Sequence, residues 1–136
     1  MSIPVGLERL VEEASAMGDW AYVLTSSEDG RPHAVAAALR WLEAGELVAT
    51  VGHRSLDNAS VRPLVSLLWP PAERGGHSLI VDGTARVQPG EGRDGLVIVT
   101  PSRAVYHRPA PADAGSGGSC TPDPLGAAGC GPIPGK

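Results

Sequence analysis

The sequence has no phenylalanine, and packing in a core or at a dimer interface explains its three tryptophans. It has no run of more than two basic residues, and acidic side chains outnumber Lys and Arg by 15 to 11. Nucleic-acid and membrane-surface partners require clustered positive charge, so we expect neither. Residues 1–6 are too short and polar for a secretory signal, and no apolar stretch reaches a membrane span, which predicts a cytoplasmic protein.

Metal-ligating residues are also few. The only cysteines, Cys120 and Cys130, lie ten positions apart, whereas zinc sites need about four ligands that usually come in close pairs. The spacing of the histidines does not place two of them on one helical face. They are His33, His53, His77 and His107. We therefore predict no metal site.

Glycine and proline divide the chain into two parts. From Pro109 to Lys136, 13 of 28 residues are Gly or Pro, and the large aliphatic residues there are Leu125 and Ile133 alone. Such a segment buries too little apolar surface to offset the entropy of ordering. The sequence thus predicts one domain over residues 1–108 and a mostly disordered tail over 109–136.

Within the first part, the pattern changes from helical to strand-like. Apolar residues at three- and four-residue spacing predict a helix over Leu7–Met17, which ends at Gly18. Later segments are rich in β-branched and aromatic residues and are separated by turn signals such as Asp29-Gly30. The predicted strands are Trp20–Ser26, His33–Trp41, Leu47–Val51, Leu64–Trp69, Ser78–Gln88 with a bulge at Gly83, and a last strand or strand pair, Leu96–Thr100 and Arg103–His107, with a break at Pro101. About six antiparallel strands with flanking short helices predict a mainly β protein that closes into a barrel.

The segment Thr50–Asn58 has the features of a phosphate-binding loop. A strand ends, Gly52 permits a turn, and His53 and Arg54 precede Ser55, which we interpret as the N-cap of a short helix. Backbone N–H groups at a helix N-terminus favour an anion, and Arg54 adds a charge-assisted contact. Arg40, near the end of the preceding strand, is expected to face the same place. A solvated surface turn is the alternative interpretation of this spacing.

Three ordered motifs resemble the FMN-binding split barrels of the pyridoxamine 5′-phosphate oxidase-like superfamily. They are the hairpin Asp29–His33, the element Thr50–Trp69 and the strand Val81–Val87. The resemblance implies a six-stranded antiparallel split β-barrel that binds FMN at the interface of a homodimer. The ring-facing Arg of true pyridoxamine phosphate oxidases is replaced by Val35, and their Arg–His substrate motif falls at Ile98 and Thr100. The chain therefore resembles the shorter, functionally mixed branch.

The resemblance assigns roles to individual positions. It implies that the backbone of one strand lies along the flavin ring, that Thr50 lies beside the ring, that Arg40, Arg54 and Ser55 contact the phosphate, and that Ser78 reaches the flavin from the partner subunit. The ring-binding strand residues are Val35, Ala36, Ala37 and Ala38. Asn58 belongs to the same loop motif, and Trp69 is the tryptophan expected nearest the cofactor.

Other positions leave alternatives open. Ser55 stands where the family usually has Lys, so either His53 compensates for the lost charge or the phosphate is held more loosely. Tyr106, His107 and Arg108 either finish an edge strand or line a substrate pocket. No general acid or base is evident, which favours flavin redox chemistry on a small molecule over hydrolysis. The alternatives are a deazaflavin F420-dependent reductase and a non-catalytic flavin- or haem-binding module.

Overall fold

In the computed structural model, which describes residues 2–110, the chain forms seven strands and two α-helices. The strands are β1 Ser2–Val5, β2 Trp20–Ser26, β3 Pro32–Trp41, β4 Leu47–Val51, β5 Leu64–Trp69, β6 Ser78–Pro89 and β7 Gly95–His107. The helices are α1 Leu10–Met17, which a 3₁₀ turn at Leu7–Arg9 precedes, and α2 His53–Val61. The predicted bounds of β2, β4 and β5 are confirmed.

Six of these strands close into an antiparallel barrel. Their order is β7-β4-β3-β2-β5-β6, and pairing of β6 with β7 closes the ring. The predicted six-stranded barrel is therefore confirmed, and β1 is an additional strand. It pairs with the last four residues of β7, whereas the first five residues of β7 pair with β4.

The barrel interior is filled by alternate residues of its strands, as expected where one face of each strand is buried. Val23 of β2, Leu67 of β5 and Val81 of β6 are completely inaccessible to solvent. The helix α1 contributes Leu10 and Ala14 to the same core. The aliphatic core agrees with the absence of phenylalanine from the sequence.

The expected break at Pro101 is a bulge rather than the end of a strand. The pairing of β6 with β7 shifts between Asp82 and Gly83, so that Ser102 has no partner on β6. A Cβ at Gly83 would lie 2.6 Å from the carbonyl oxygen of Thr100, which explains why glycine occupies the position. β7 therefore continues through Pro101 to His107.

The first helix also differs from its prediction. The stripe Leu7–Met17 divides into a 3₁₀ turn and a shorter α-helix, so Leu7 and Val11 remain exposed. Gly18 ends the helix with a φ of +129°, which favours glycine. The predicted tail beyond residue 110 lies outside the described residues. Within residues 2–110, no helix is long and apolar enough to cross a membrane.

Candidate functional site

The N-cap of α2 lies three residues earlier than the sequence pattern indicates. Gly52 is extended, and its carbonyl accepts a hydrogen bond of 3.2 Å from the N–H of Leu56, so Gly52 is the N-cap. The prediction that Ser55 caps the helix is therefore wrong, because Ser55 lies in the first turn with its side chain buried. The N–H groups of residues 53–55 have no acceptor within the helix. Arg54, in the same turn, is exposed to solvent.

Arg54 faces the β2–β3 hairpin across an open depression of about 650 Å³. The residues that line it are Ser27, Glu28, Asp29, Arg31, Arg54 and Asn58. Asp29 shapes the hairpin by accepting a 3.1 Å hydrogen bond from the N–H of Arg31, and Gly30 supplies a φ of +86°. The fold thus brings together two of the three motifs that carry the family resemblance, namely the hairpin Asp29–His33 and the element Thr50–Trp69.

Asn58 lines this depression but its side chain is engaged within the protein. Its Nδ2 donates to Oγ1 of Thr25 at 3.0 Å, and its Oδ1 accepts from Nη2 of Arg62 at 3.5 Å. Arg62 also donates from Nε to the carbonyl of Ser26 at 2.7 Å. These bonds hold α2 against the end of β2. Asn58 therefore helps to position the helix that carries Arg54.

The outer face of β3 carries only small side chains over most of its length. Val35 and Ala37 are directed into the barrel, so only their backbone is available to a ligand on the outside. The alternate residues are exposed, and they are Ala34, Ala36 and Ala38. We call these three residues the alanine strip. A flat molecule placed on the strip would contact the strand backbone closely.

Two exposed aromatic residues of β2 border the alanine strip. Trp20 pairs with Ala38 and Tyr22 with Ala36, so both rings lie on the outer face beside the strip. Trp20 is 42% exposed, and its ring meets that of Tyr22 edge to face at a centroid distance of 5.3 Å. The outer surface here is apolar and accessible.

β4 forms the other border of the strip. Arg40 of β3 is exposed and pairs with Val48, four residues before the N-cap of α2. Thr50, two residues after Val48, is also exposed on this face. Arg40 is not among the residues that line the depression containing Arg54, and the expectation that both contact one phosphate stays a prediction. Arg40 stands beside the middle of β4 rather than its end.

The remaining candidates lie at the opposite end of the barrel, beside α1. Trp69 is only 1% exposed, and its Nε1 donates to the carbonyl of Gly18 at 3.2 Å. The side chain of Trp69 belongs to the core and is not accessible to a cofactor bound to the same chain. Ser78 begins β6 and pairs with His107.

Tyr106 joins this end of the barrel to α1. Its hydroxyl donates to Oε1 of Glu13 at 2.5 Å. Burial and then the hydrogen bond to Glu13 raise the pKa of Tyr106 to about 12. His107 lies 3.3 Å from the hydroxyl of Ser2, and Arg108 follows directly. None of these residues lies near Arg54.

The sequence comparisons place the chain beside two mycobacterial proteins. Mb0449c of Mycobacterium bovis and MT0457 of Mycobacterium tuberculosis, both described as uncharacterized, are each 38% identical to it over 122 residues. The alignments cover 80% of this chain and 84% of each relative. The chain belongs to their family. No protein-family model matches the sequence.

Solved structures at 12–15% sequence identity have the same split-barrel fold. A pyridoxinephosphate oxidase family protein of Clostridium acetobutylicum superposes with a TM-score of 0.61 at 12% identity, covering 76% of this chain and 91% of that one. A FAD-binding protein of Mesorhizobium loti gives 0.60 at 14% identity, covering 78% and 95%. HutZ, a haem storage protein of Vibrio cholerae, gives 0.58 at 15%, covering 76% and 96%.

One residue near α2 of this split barrel could not be found from the sequence. Arg93, in the turn between β6 and β7, places Nη2 within 3.0 Å of Nε2 and 3.1 Å of Nδ1 of His53. The two residues are 40 positions apart, and Arg93 belongs to no motif. Only the closed barrel brings this turn beside the first turn of α2. Within residues 2–110, no three His, Cys, Asp or Glu residues are grouped closely enough to hold a metal ion.

Proposed function

We propose that the protein is a homodimeric FMN-dependent oxidoreductase that acts on a small molecule. The observation that carries the proposal is the alanine strip on the outer face of β3. The neighbouring strand β4 ends directly before the first turn of α2. A planar ring needs a flat surface with accessible backbone, and a phosphate needs N–H groups and a positive charge. This part of the surface offers both.

The phosphate end of the proposed site is formed by α2. The free N–H groups of residues 53–55 and the guanidinium of Arg54 would hold the phosphate. Arg93 and His53 supply further donors at the same turn, so the charge missing at Ser55 has a substitute. The side chain of Ser55 is buried, and only its backbone N–H is available.

The ring end is formed by the backbone of Val35–Ala38 and by Thr50. Bound FMN would supply the hydride chemistry at its ring, as flavins do. The residues of the chain would orient the ring, and the aromatic side chains of Trp20 and Tyr22 would exclude water from one of its edges.

A second copy of the chain completes the proposed site. Ser78, Tyr106, His107 and Arg108 lie at the α1 end of the barrel, far along β6 and β7 from Arg54. They can serve the same cofactor only if they come from a partner subunit. The exposed rings of Trp20 and Tyr22 give the outer face the apolar character of an interface.

A second candidate function is a non-catalytic flavin- or haem-binding module. Among the described residues, the side chains along the alanine strip and its borders include no carboxylate or imidazole that could move a proton. The haem storage protein that shares this fold has such a role by its name. An F420 reductase with the same fold, at a TM-score of 0.51 and 15% identity, keeps the deazaflavin alternative in the test below.

The absorption spectrum of the purified protein, alone and after reconstitution with FMN, F420 or haem, distinguishes these functions. We expect a flavin spectrum and tight FMN binding. Arg54→Ala should weaken FMN binding about tenfold to a hundredfold, since a hydrogen bond to a charged group contributes about 1.5–3 kcal/mol. Arg74→Ala removes an exposed arginine from the β5–β6 connection and is the matched control.

Equal FMN affinity in the two variants would place the phosphate elsewhere. A monomer in sedimentation experiments that still binds one FMN per chain would contradict the two-chain site. A Soret band with no flavin affinity would favour the haem-binding module.

A further inference from the structure

A second depression lies on the outer face where β2, β5 and β6 adjoin. Its volume is about 380 Å³, within the range typical of small-molecule sites. The residues that line it are Leu24, Thr25, Ser26, Pro32, Leu64, Val65, Ser66, Asp82, Gly83 and Ser102. None of them is a candidate for the FMN site, so an inference about this depression does not rest on the proposed function.

Asp82 is the only charged residue in this lining, and its position is fixed from two sides. The hydroxyl of Ser66 donates to Oδ1 of Asp82 at 2.7 Å, and the hydroxyl of Ser102 donates to its backbone carbonyl at 3.1 Å. Ser102 reaches this place because it is the extra residue of the bulge opposite Gly83. Ser102 fixes the backbone of Asp82 and Ser66 engages Oδ1, so a further donor would be accepted by the second carboxylate oxygen, Oδ2.

That second oxygen already faces a cation of the protein. Nη1 of Arg103 lies 3.6 Å from Oδ2 of Asp82, and the side chains are 68% and 43% exposed, respectively. An ion pair at this length and exposure contributes little, so a ligand cation can replace it at small cost. Arg103 does not line the depression. The position of Arg103 shows that a positive group can reach Oδ2 of Asp82 from the solvent side.

The remaining wall is apolar. Leu24 and Pro32 lie on one side, and Leu64, the first residue of β5, forms a lip that is 75% exposed. A leucine exposed to this degree gains most when an apolar group packs against it. The chemistry of the depression is therefore one acidic anchor beside an apolar wall.

We propose that this depression is a binding site for a small organic ammonium compound with an apolar body. The ammonium group donates to Oδ2 of Asp82, and the apolar body packs against Leu64 and Leu24. Neutral and anionic compounds of the same shape lack the charge-assisted hydrogen bond and bind more weakly.

The probe is phenethylamine, which is a cation at neutral pH, and 2-phenylethanol is its neutral counterpart. Chemical-shift titration of the full chain should show phenethylamine binding at millimolar or lower Kd, with the shifted signals at Leu64, Ser66 and Ser102. The alcohol should bind at least about tenfold more weakly, a difference of about 1.4 kcal/mol.

Asp82→Asn should lower phenethylamine affinity at least about tenfold, as expected from loss of a charge-assisted bond. Asp57→Asn, an exposed carboxylate on α2, is the control and should leave it unchanged. Arg103→Ala should raise the affinity, because it removes the competing cation. This gain keeps the test decisive even if Asp82→Asn perturbs the fold.

Three results would overturn the proposal. They are no saturable phenethylamine binding to the unmodified protein, equal affinity for the amine and the alcohol, and unchanged or weaker binding in Arg103→Ala.

Discussion

The two ends of the barrel are closed by helices in different ways. At the α1 end, Trp69 donates to the carbonyl that follows the helix and Tyr106 donates to Glu13, so the polar groups bond to one another. At the α2 end, the internal bonds belong to Asn58 and Arg62, while Arg54 in the first turn stays exposed. Both helices cover an end of the barrel, and α2 in addition presents the positive charge of Arg54 to solvent beside the hairpin.

This difference separates two kinds of candidate residue. Those at the α2 end can form a ligand site within one chain, because Arg54 and the hairpin Asp29–Arg31 line one depression. At the α1 end, Trp69 and Tyr106 pack within their own barrel, where they bond to Gly18 and Glu13. The predictions below test whether the ends differ in this way.

The largest effect is expected at Trp69. Trp69→Ala removes a buried aromatic side chain and should lower the free energy of unfolding by about 3–5 kcal/mol in denaturant titrations. Trp20→Ala, its control on the outer face, loses an edge contact with Tyr22 and should cost about 1 kcal/mol or less. If the proposed dimer exists, Trp20→Ala should instead weaken association in sedimentation experiments. Similar losses of stability in both variants would contradict the assignment of Trp69 to the core.

A smaller effect is expected for the bonds that hold α2. Asn58→Ala leaves the hydroxyl of Thr25 without its donor and should lower stability by about 1–3 kcal/mol. The exposed Ser60→Ala on the same helix should change it by less than about 0.5 kcal/mol. A double-mutant cycle with Thr25→Val measures the coupling between the two side chains. Additive effects would mean that the Asn58–Thr25 bond does not position the helix.

The smallest effect should appear only at alkaline pH. The pKa of Tyr106 is about 12 in the folded protein, above the ordinary value of 10.0, so its contribution to stability is complete below pH 10 and is lost as the pH rises towards 12. Tyr106→Phe has no such group and should show a flatter dependence of the melting temperature between pH 10 and 12. Parallel curves for the two proteins would show that Glu13 and burial do not perturb the hydroxyl.

Local patterns in the sequence were enough to predict most of the fold. Turn signals located β2, β4 and β5 to the residue, and β2 and β5 also alternate between buried and more exposed positions. β1 was not predicted, because a four-residue strand with three exposed positions has no burial pattern. The start of α2 was misplaced because a serine that resembled an N-cap follows the glycine that caps the helix.

The candidate site was predicted less completely. The sequence pattern singled out Arg54, but it did not predict that the β2–β3 hairpin lines the same depression. Two features depend on the pairing of β6 with β7, which are the contact of Arg93 with His53 and the depression at Asp82. The sequence pattern does not predict which turn lies beside which helix. The hydrogen bond of Asn58 to Thr25, which lies 33 positions away, was likewise not predicted.

The short strand β1 has a consequence for the order in which the chain folds. The β6–β7 hairpin closes over residues 90–94 alone, whereas Ser2 meets His107 across 105 positions. Closing the longer loop costs more chain entropy, and only the four residue pairs between β1 and β7 offset that cost. The barrel can therefore assemble first, and β1 should dock last and detach first. Amide hydrogens shared by β1 and β7 should exchange with solvent well before those between β6 and β7.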